Sequence, residues 1–257
     1  MCALVRAVYD SERHRAPPTL RPIGDCHASE ESQEDRAETR RLQEEAEEAP
    51  PSRRWRLAYS PFSLTFLERR PESVQRPRLL DGNQRFTQGT ITAANRDLDR
   101  LKAVAPKQAP FAAFLSCADS RVPVEIIFDQ GFGDVFVVRV AGNVAGAEET
   151  ASLEFGTLVL GAKVLVVLGH SGCGAVKAAL EGGDAPGQIS TLYRLIGPGI
   201  DRQNKNLDTA IASNVRAQAR VLRKGSTVIA GLLKDGKLKL AGGVYDLTSG
   251  KVTMMEV

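Results

Sequence analysis

The chain has 257 residues, and its 34 lysines and arginines nearly balance its 31 aspartates and glutamates. A net charge of +3 is too small to indicate a nucleic-acid partner, and no apolar run approaches the ~18 residues of a transmembrane segment. Four cysteines do not indicate a disulfide framework, because a chain of this length can bury a sufficient core without one.

The first 78 residues differ in composition from the rest of the chain. Residues 29–48 are strongly acidic, with Leu42 as their one large apolar side chain, and residues 53–78 are rich in arginine and proline. Such segments bury too little apolar surface to offset the entropy lost on ordering. We predict that residues 1–78 form a charged, largely disordered extension or linker, and that one folded domain occupies residues 79–257.

Arg53 and Arg54 precede a partly apolar stretch, residues 58–67, in an arrangement that resembles a twin-arginine export signal. However, the pair lies far from the first residue, Pro61 and Ser63 interrupt the stretch, and no small-residue cleavage site follows it. We therefore expect a cytoplasmic protein. Export to the periplasm is the alternative, if the arginine pair is a signal.

From residue 79 onward, apolar residues recur with alternating helical and strand-like periods. Residues 134–140 are rich in Val and Phe, which is typical of a parallel strand covered on both faces. The alternation indicates an α/β fold with a mainly parallel central sheet flanked by helices. In chain order, the predicted elements are helices at 79–88 and 97–105, a strand at 111–115, a helix at 124–128, a strand at 134–140, a helix at 148–160, a strand at 164–168, helices at 175–180 and 207–224, and strands at 237–240, 244–247 and 251–255.

Candidate metal ligands stand at the ends of two predicted strands. Cys117 follows the first strand, and His170 and Cys173 follow the third. Because parallel strands end at the same edge of a sheet, we expect the three side chains to converge there. Cysteine and histidine are zinc ligands, and three protein ligands rather than four leave a position for a reacting water. The count favours a catalytic zinc, and a structural zinc closed by Asp119 is the alternative.

These residues resemble the signature of the β-class carbonic anhydrases, a Cys-x-Asp-x-Arg run followed further along the chain by His-x-x-Cys. The matching residues in this chain are Cys117, Asp119, Arg121, His170 and Cys173. The similarity extends from about residue 79 to the last residue of the chain. It implies a β-carbonic anhydrase-like catalytic domain over residues 79–257.

The resemblance also implies a cofactor and a reaction. The cofactor is one Zn²⁺ per subunit, and the reaction is the reversible hydration of carbon dioxide to bicarbonate and a proton, by attack of a zinc-bound hydroxide. Relatives that hydrolyse carbonyl sulfide or carbon disulfide use the same ligands, and no residue of this chain separates those substrates from carbon dioxide. The family further implies a homodimer or a higher even oligomer, in which N-terminal helices pack on the partner subunit.

In the family, Asp119 and Arg121 match a catalytic dyad. A guanidinium forked onto the carboxylate would keep Asp119 ionised and away from the metal, and Asp119 could then orient the reacting water. In family members that close at low pH, the matching aspartate becomes a fourth zinc ligand, so Asp119 is a possible fourth ligand here. The alternative for these two residues is an ordinary loop Asp beside a surface Arg.

Four further residues match positions that bind substrate in the family. Gln108 matches the residue whose side chain donates a hydrogen bond to substrate, and it is our candidate for orienting carbon dioxide or bicarbonate. Val122 and Phe136 match an apolar wall suited to an uncharged substrate, although a core position would explain them equally well. Gly172 keeps the turn between the last two ligands small and completes the predicted set.

Two other classes of protein fit parts of the motif. A cysteine hydrolase pairs a thiolate with a histidine base, but Cys173 is too close to His170 in sequence, and Cys117 is followed by Asp and Arg rather than by a second His. A non-catalytic zinc-binding module would hold the metal without turnover. Zinc content separates the hydrolase from the zinc enzyme, and a hydration assay separates the binding module from it.

Overall fold

Residues 72–182 and 185–257 are described in a computed structural model of the chain, with side chains from residue 78 onward. The α-helices are α1 (Glu72–Thr87), α2 (Leu98–Val104), α3 (Val124–Ile127), α4 (Ala147–Glu154), α5 (Gly174–Glu181), α6 (Ile189–Ile196), α7 (Leu207–Gly225) and α8 (Thr227–Lys234). The strands are β1 (Ala112–Ser116), β2 (Val135–Arg139), β3 (Val164–His170), β4 (Lys239–Tyr245) and β5 (Val252–Met255). Short 3₁₀ turns occupy Ala141–Asn143 and Gly197–Gly199, and a π-helical segment, Phe155–Val159, continues α4.

The described strands form a five-stranded sheet in the order β2-β1-β3-β4-β5. The first four strands are parallel to one another, and β5 pairs antiparallel with β4. This arrangement confirms the predicted α/β fold with a mainly parallel sheet flanked by helices. The register places Ser116 of β1 beside Leu168 of β3, so Cys117 stands level with the residue just before His170.

Alternate residues of β1 and β3 build the two layers of the core. Phe114 and Val166 belong to the layer covered by α1 and α3, whereas Leu115 and Leu165 belong to the layer covered by α4, α7 and α8. Every residue of these two strands is buried. Because each fully buried Val, Leu or Phe contributes roughly 1.5–3 kcal/mol, the two strands give the residues at their ends a rigid support.

Strand β2 differs from the prediction that both of its faces are covered. It is the outermost strand of the described sheet, and its residues 135–138 are only half-buried. A continuous apolar sequence does not distinguish an inner strand from an apolar edge strand, because both lack polar alternation. In this single chain, β2 therefore leaves an apolar edge.

Strand β4 corrects the prediction of two separate strands at 237–240 and 244–247. It runs unbroken through Gly242 and Gly243. An ideal Cβ at Gly242 would lie 2.9 Å from Cγ1 of Val215 and would also collide with Val257. Gly242 therefore lets α7 pack closely on the strand, whereas sequence alone suggested a break.

Helix boundaries differ from the prediction in two places. Helix α1 begins at Glu72 rather than at residue 79 and passes through position 77, where proline removes one amide donor without ending the helix. The helix predicted at 148–160 is α4 followed by the π-helical segment. There, Gly156 lies against the ring of Phe136, since an ideal Cβ would be 2.7 Å from its Cδ1.

Helices α6 and α8 have no counterpart in the prediction. Helix α8 begins with the β-branched residues Thr227, Val228 and Ile229, which favour strands. Ser226 nevertheless starts a helix, because its Oγ accepts a hydrogen bond from the Ile229 amide at 3.0 Å. The remaining predicted elements, α2, β1, α3, the span of β2, β3, α5, α7 and β5, are confirmed to within two residues.

The predicted extension, residues 1–78, lies outside the described residues except for the first part of α1. Its disorder, its boundary with the folded domain and the proposed signal at Arg53 and Arg54 therefore stay predictions. Among the described residues, the helices are too short or too polar to cross a membrane.

Candidate metal centre

Cys117, His170 and Cys173 come together at the carboxyl edge of the sheet. Cys117 is the first residue after β1, His170 is the last residue of β3, and Cys173 caps the N-terminus of α5. The two sulfurs and an imidazole nitrogen lie within 4.8 Å of one another, and all three residues are buried. The two strand ends thus converge as the sequence predicted, and the three side chains are positioned to bind one metal ion.

The imidazole of His170 is oriented for ligation through Nε2. Its Nδ1 lies 3.0 Å from the carbonyl oxygen of Ser171, so Nδ1–H donates and Nε2 keeps a free lone pair. Nε2 is fully buried and has no hydrogen-bond partner among the described residues. An unpaired buried polar atom costs about 1–3 kcal/mol, and a metal ion at this atom would remove that cost.

The two thiols share their charge unequally. Hydrogen bonds from Cys173 and from the Gly142 amide hold the pKa of Cys117 below its usual value, although burial opposes them. The pKa of Cys173 is raised, because this thiol shares a hydrogen bond with Cys117 and is itself buried. The pair therefore accommodates one negative charge readily, and the second requires a cation between the sulfurs.

A divalent zinc ion fits this donor set. Two thiolates cancel its charge, and the neutral imidazole adds a third ligand of the type zinc prefers. Mg²⁺ and Ca²⁺ favour oxygen ligands instead. The unpaired Nε2 of His170 and the adjacent sulfurs thus match zinc in both charge and chemistry.

Asp119 and Arg121 form a forked ion pair beside the cluster. Arg121 Nε lies 2.9 Å from Asp119 Oδ1, its Nη2 lies 2.8 Å from Oδ2, and its backbone amide also donates to Oδ1. These hydrogen bonds hold the pKa of Asp119 well below its usual range. Because Oδ2 is 3.8 Å from Nε2 of His170, the ionised carboxylate borders the metal position.

Comparison with known sequences identifies the family. A family profile described as carbonic anhydrase matches residues 112–252, which include the three ligands and the Asp119–Arg121 pair. The chain belongs to the β-class carbonic anhydrase family. The resemblance seen in the sequence is thereby confirmed, and the chain is an enzyme of this family. A carbonic anhydrase of Mycolicibacterium smegmatis is 38% identical over 184 residues, covering 68% of this chain and 89% of that protein.

Solved β-carbonic anhydrases share the fold. A tetrameric enzyme from Sordaria macrospora matches with a TM-score of 0.56 and 26% identity, covering 61% of this chain and 86% of that chain. A Coccomyxa β-carbonic anhydrase in complex with acetazolamide also matches with a TM-score of 0.56 and 26% identity, covering 69% and 84% respectively. The described sheet and its helices are thus those of a β-class enzyme.

In this β-class chain, Arg139 fixes the loop that carries Cys117 and Asp119. Its Nε donates to the carbonyl of Cys117 at 3.1 Å, and its Nη2 donates to the carbonyl of Asp119 at 2.6 Å. Both contacts depend on the register of β2 against β1, which brings Arg139 beside Ser116. The backbone of the ligand loop is therefore held from the neighbouring strand.

The turn between His170 and Cys173 is held by the strand on its other side. The amide of Ser171 donates to the carbonyl of Tyr245 at 2.9 Å, and Ser171 Oγ accepts from the amide of Leu247 at 2.9 Å. Gly172 has a φ of +64°, a conformation that glycine adopts without strain. The predicted role of Gly172 in keeping this turn small agrees with its geometry, and its contact with substrate stays a prediction.

The other residues predicted to bind substrate do not belong to the ligand cluster of this chain. Gln108 is exposed in the loop before β1, and because β1 spans about 17 Å, it stands at the opposite end of the strand from Cys117. Phe136 packs against Gly156, and Val122 is fully buried in the core layer under α1 and α3. Their roles in binding substrate stay predictions.

Sequence reasoning missed two polar residues behind the site. Asn214 and Gln218 lie on α7, for which the sequence predicted a helix but no role for these two side chains. Both side chains are buried, and they bind the loop that contains Gly142. A signal was present, since these two residues fall three and seven positions after the buried Ile211 and thus on the apolar face.

Proposed function

We propose that this enzyme catalyses the reversible hydration of carbon dioxide to bicarbonate and a proton, with one zinc ion per subunit. The observation that carries the proposal is the buried set of Cys117, His170 and Cys173 beside an ionised carboxylate held by Arg121. The relative from Mycolicibacterium smegmatis, named a carbonic anhydrase, supports carbon dioxide as the substrate. Carbonyl sulfide and carbon disulfide are the alternative substrates.

Zinc, when bound, supplies Lewis acidity that makes a hydroxide nucleophile available near neutral pH. The residues of the chain prepare the position for it. Cys117 and Cys173 supply two negative charges that cancel those of the cation, so the centre suits an uncharged substrate. His170 presents Nε2 in a fixed direction, because Nδ1 is engaged by the carbonyl of Ser171.

Asp119 is the candidate hydrogen-bond acceptor that orients the reacting water. Its Oδ2 faces the cluster, 3.8 Å from Nε2 of His170, and Arg121 keeps the carboxylate ionised. Because Arg121 engages both oxygens, it also restrains Asp119 from moving onto the metal. A carboxylate is itself a good zinc ligand, so this restraint keeps one coordination position free for water.

We further propose that the active enzyme is a homodimer or a higher even oligomer. Strand β2 leaves an apolar edge, and Leu158 and Phe132 are 55% and 42% exposed. An apolar strand edge that is open in a single chain is a surface on which another subunit can pair or pack. A second subunit would also explain how Gln108, at the far end of β1, can reach a metal centre.

The location of the enzyme stays a proposal. We propose a cytoplasmic enzyme, with the periplasm as the alternative if Arg53 and Arg54 direct export. Two thiolate ligands favour a reducing compartment, where cysteines are not oxidised to disulfides. The part of the predicted extension, residues 1–78, that precedes α1 is proposed to lie outside the catalytic domain.

The proposed reaction is tested by stopped-flow carbon dioxide hydration on protein of measured zinc content. We expect zinc and turnover to be lost together in Cys117→Ser, His170→Ala and Cys173→Ser, because removing one of three ligands leaves too little affinity. Lys177→Gln is a matched control, since this exposed residue follows Cys173 on α5 and pairs with Glu181. It should keep both zinc and turnover.

Two results would contradict the proposal. Full zinc content without hydration would indicate a structural site or a binding module. Turnover of carbonyl sulfide or carbon disulfide, in the absence of carbon dioxide hydration, would reassign the substrate.

A further inference from the structure

Two buried amide side chains lie behind the metal centre, and the proposed hydration does not use them. Asn214 and Gln218 of α7 are 0% and 1% exposed, although Asn and Gln are mostly exposed in proteins. They are four residues apart and so share one face of the helix, where Gln218 Nε2 donates to Asn214 Oδ1 at 3.0 Å. We call these two residues the amide pair.

The amide pair holds both ends of the loop formed by residues 142–145. Asn214 Nδ2 donates to the carbonyl of Gly142 at 2.9 Å, and Gln218 Oε1 accepts from the amide of Ala145 at 2.9 Å. Gln218 Nε2 also donates to the carbonyl of Leu195 at 3.1 Å. Because these groups are buried or partly buried, water does not compete strongly for them, and the loop is fixed relative to α7.

The same loop brings one amide to a metal ligand. The N–H of Gly142 donates to the sulfur of Cys117 at a nitrogen–sulfur distance of 3.4 Å. Gly142 has a φ of +75°, and an ideal Cβ there would lie 2.7 Å from Cδ1 of Ile196. The position therefore requires glycine. Because Gly142 has no side chain, the direction of its N–H is set by the groups that bind its backbone.

We propose that the amide pair positions the Gly142 N–H against the Cys117 sulfur and thereby tunes how much charge this thiolate donates to the bound metal. A hydrogen bond to a thiolate draws electron density from the sulfur, and such outer contacts adjust metal–thiolate centres. Asn214 and Gln218 act as positioning residues, because they reach the ligand through Gly142. The proposal rests on the proposed function in taking Cys117 as a ligand of the loaded enzyme.

The test uses the full chain loaded with Co²⁺, whose absorption spectrum contains a charge-transfer band from thiolate to metal. Asn214→Leu removes the donor to Gly142 at similar volume, and Gln218→Met removes the group that orients Asn214. We expect the band to move to lower energy in both variants, because a sulfur without its N–H donor gives up charge more readily. The larger shift belongs to Asn214→Leu, which contacts Gly142 directly.

Leu222→Ala is the matched control for a merely structural effect. Leu222 is fully buried on the same helix and belongs to the core layer next to the sheet. Its truncation should lower the melting temperature through a cavity and leave the charge-transfer band unchanged. The proposal is overturned if the band is also unchanged in Asn214→Leu and Gln218→Met, which would leave the amide pair with a packing role. The spectrum does not require turnover, so a failure of carbon dioxide hydration is a separate outcome.

Discussion

At the scale of single residues, two arginines organise the centre without being ligands. Arg121 binds both carboxylate oxygens of Asp119, and Arg139 binds the backbone carbonyls of Cys117 and Asp119. Arg121 keeps the carboxylate of Asp119 ionised and fixes its direction, and Arg139 fixes the backbone of the loop that carries it. Both contacts are charge-assisted hydrogen bonds, which are roughly twice as strong as neutral ones.

The Arg121–Asp119 pair predicts two different ways of losing activity. In Arg121→Ala, the freed carboxylate can bind zinc in place of water, so turnover should fall while zinc is retained. Asp119→Asn should also lose most turnover, but its amide is a poor zinc ligand and leaves the position open. Crystal structures of the zinc-loaded variants should show an Asp119 oxygen at about 2.0–2.2 Å from zinc in the first variant only.

The double variant provides the control for this pair. Because the two residues serve one function, Arg121→Ala combined with Asp119→Asn should be no worse than the worse single variant. Wild-type turnover in Arg121→Ala, with water still on zinc, would reduce Arg121 to an ordinary loop residue.

At the scale of elements, a buried carboxylate ties the loop before α2 to the end of α3. Asp129 has a fully buried side chain, and it accepts hydrogen bonds from the amides of Thr92 and Ala93 and from Arg85. Burial raises the pKa of Asp129, but these hydrogen bonds outweigh burial and hold it well below its usual range. The carboxylate is therefore ionised in the folded chain at neutral pH.

Asp129→Asn should destabilise the fold by roughly 1.5–3 kcal/mol at neutral pH, since hydrogen bonds to a charged group are lost. The pKa of Asp129 is lower in the folded than in the unfolded chain. Its contribution to the free energy of unfolding is therefore fully present above about pH 4 and declines as the pH falls towards the folded-state pKa. Urea unfolding should thus show a smaller loss of stability on acidification in the variant. Asp235→Asn, in an exposed pair with Lys237, should change little at any pH; equal effects of the two substitutions would contradict this role of Asp129.

The close packing of α7 on β4 predicts that a larger side chain at Gly242 destabilises the fold. Gly242→Ala should lower the free energy of unfolding by about 1–3 kcal/mol, because the added methyl group meets both Val257 and Val215. Gly231→Ala on α8 is the matched control, since nothing lies within 4 Å of its ideal Cβ and alanine favours a helix. Urea unfolding measures the free energy of unfolding of both variants. An unchanged value in Gly242→Ala would show that the residues around position 242 can move apart to accommodate a methyl group.

Sequence patterns predicted the elements whose signal is local. The unbroken apolar runs of β1 and β3 indicated buried strands, and the ligand types at their ends indicated where a metal would bind. The prediction of two separate strands in place of β4 was wrong, because Gly242 is required by the close packing of Val215 and Val257 and not by a turn. Such packing between distant segments cannot be read from the local sequence. Asn214 and Gln218 were missed for the same kind of reason: a polar residue on a helix is assigned to solvent unless the partner that satisfies it is known.

At the scale of the whole molecule, the proposed dimer can be tested through Gln108. In mixed dimers of Cys173→Ser and Gln108→Ala chains, the intact metal centre belongs to the Gln108→Ala chain. If Gln108 serves the partner subunit, that centre receives a wild-type Gln108 from the other chain. Random mixing makes about half of the dimers mixed, each with one complete site, so turnover should recover to about a quarter of the wild-type value.

Sedimentation of the same mixture should show dimers or larger even oligomers. No recovery above the activity of Gln108→Ala itself would place Gln108 in its own subunit or outside the site. An active monomer at all concentrations would contradict the oligomer proposal.

We propose that carbon dioxide hydration requires one zinc ion held by Cys117, His170 and Cys173. The most direct test of this requirement is to titrate the metal-free full chain with zinc while measuring the stopped-flow hydration rate. We expect the rate to rise in proportion to added zinc and to stop rising at one equivalent per chain, and we expect no rise in Cys173→Ser. Hydration by the metal-free chain, or a chain that holds one zinc without hydrating carbon dioxide, would contradict the proposal.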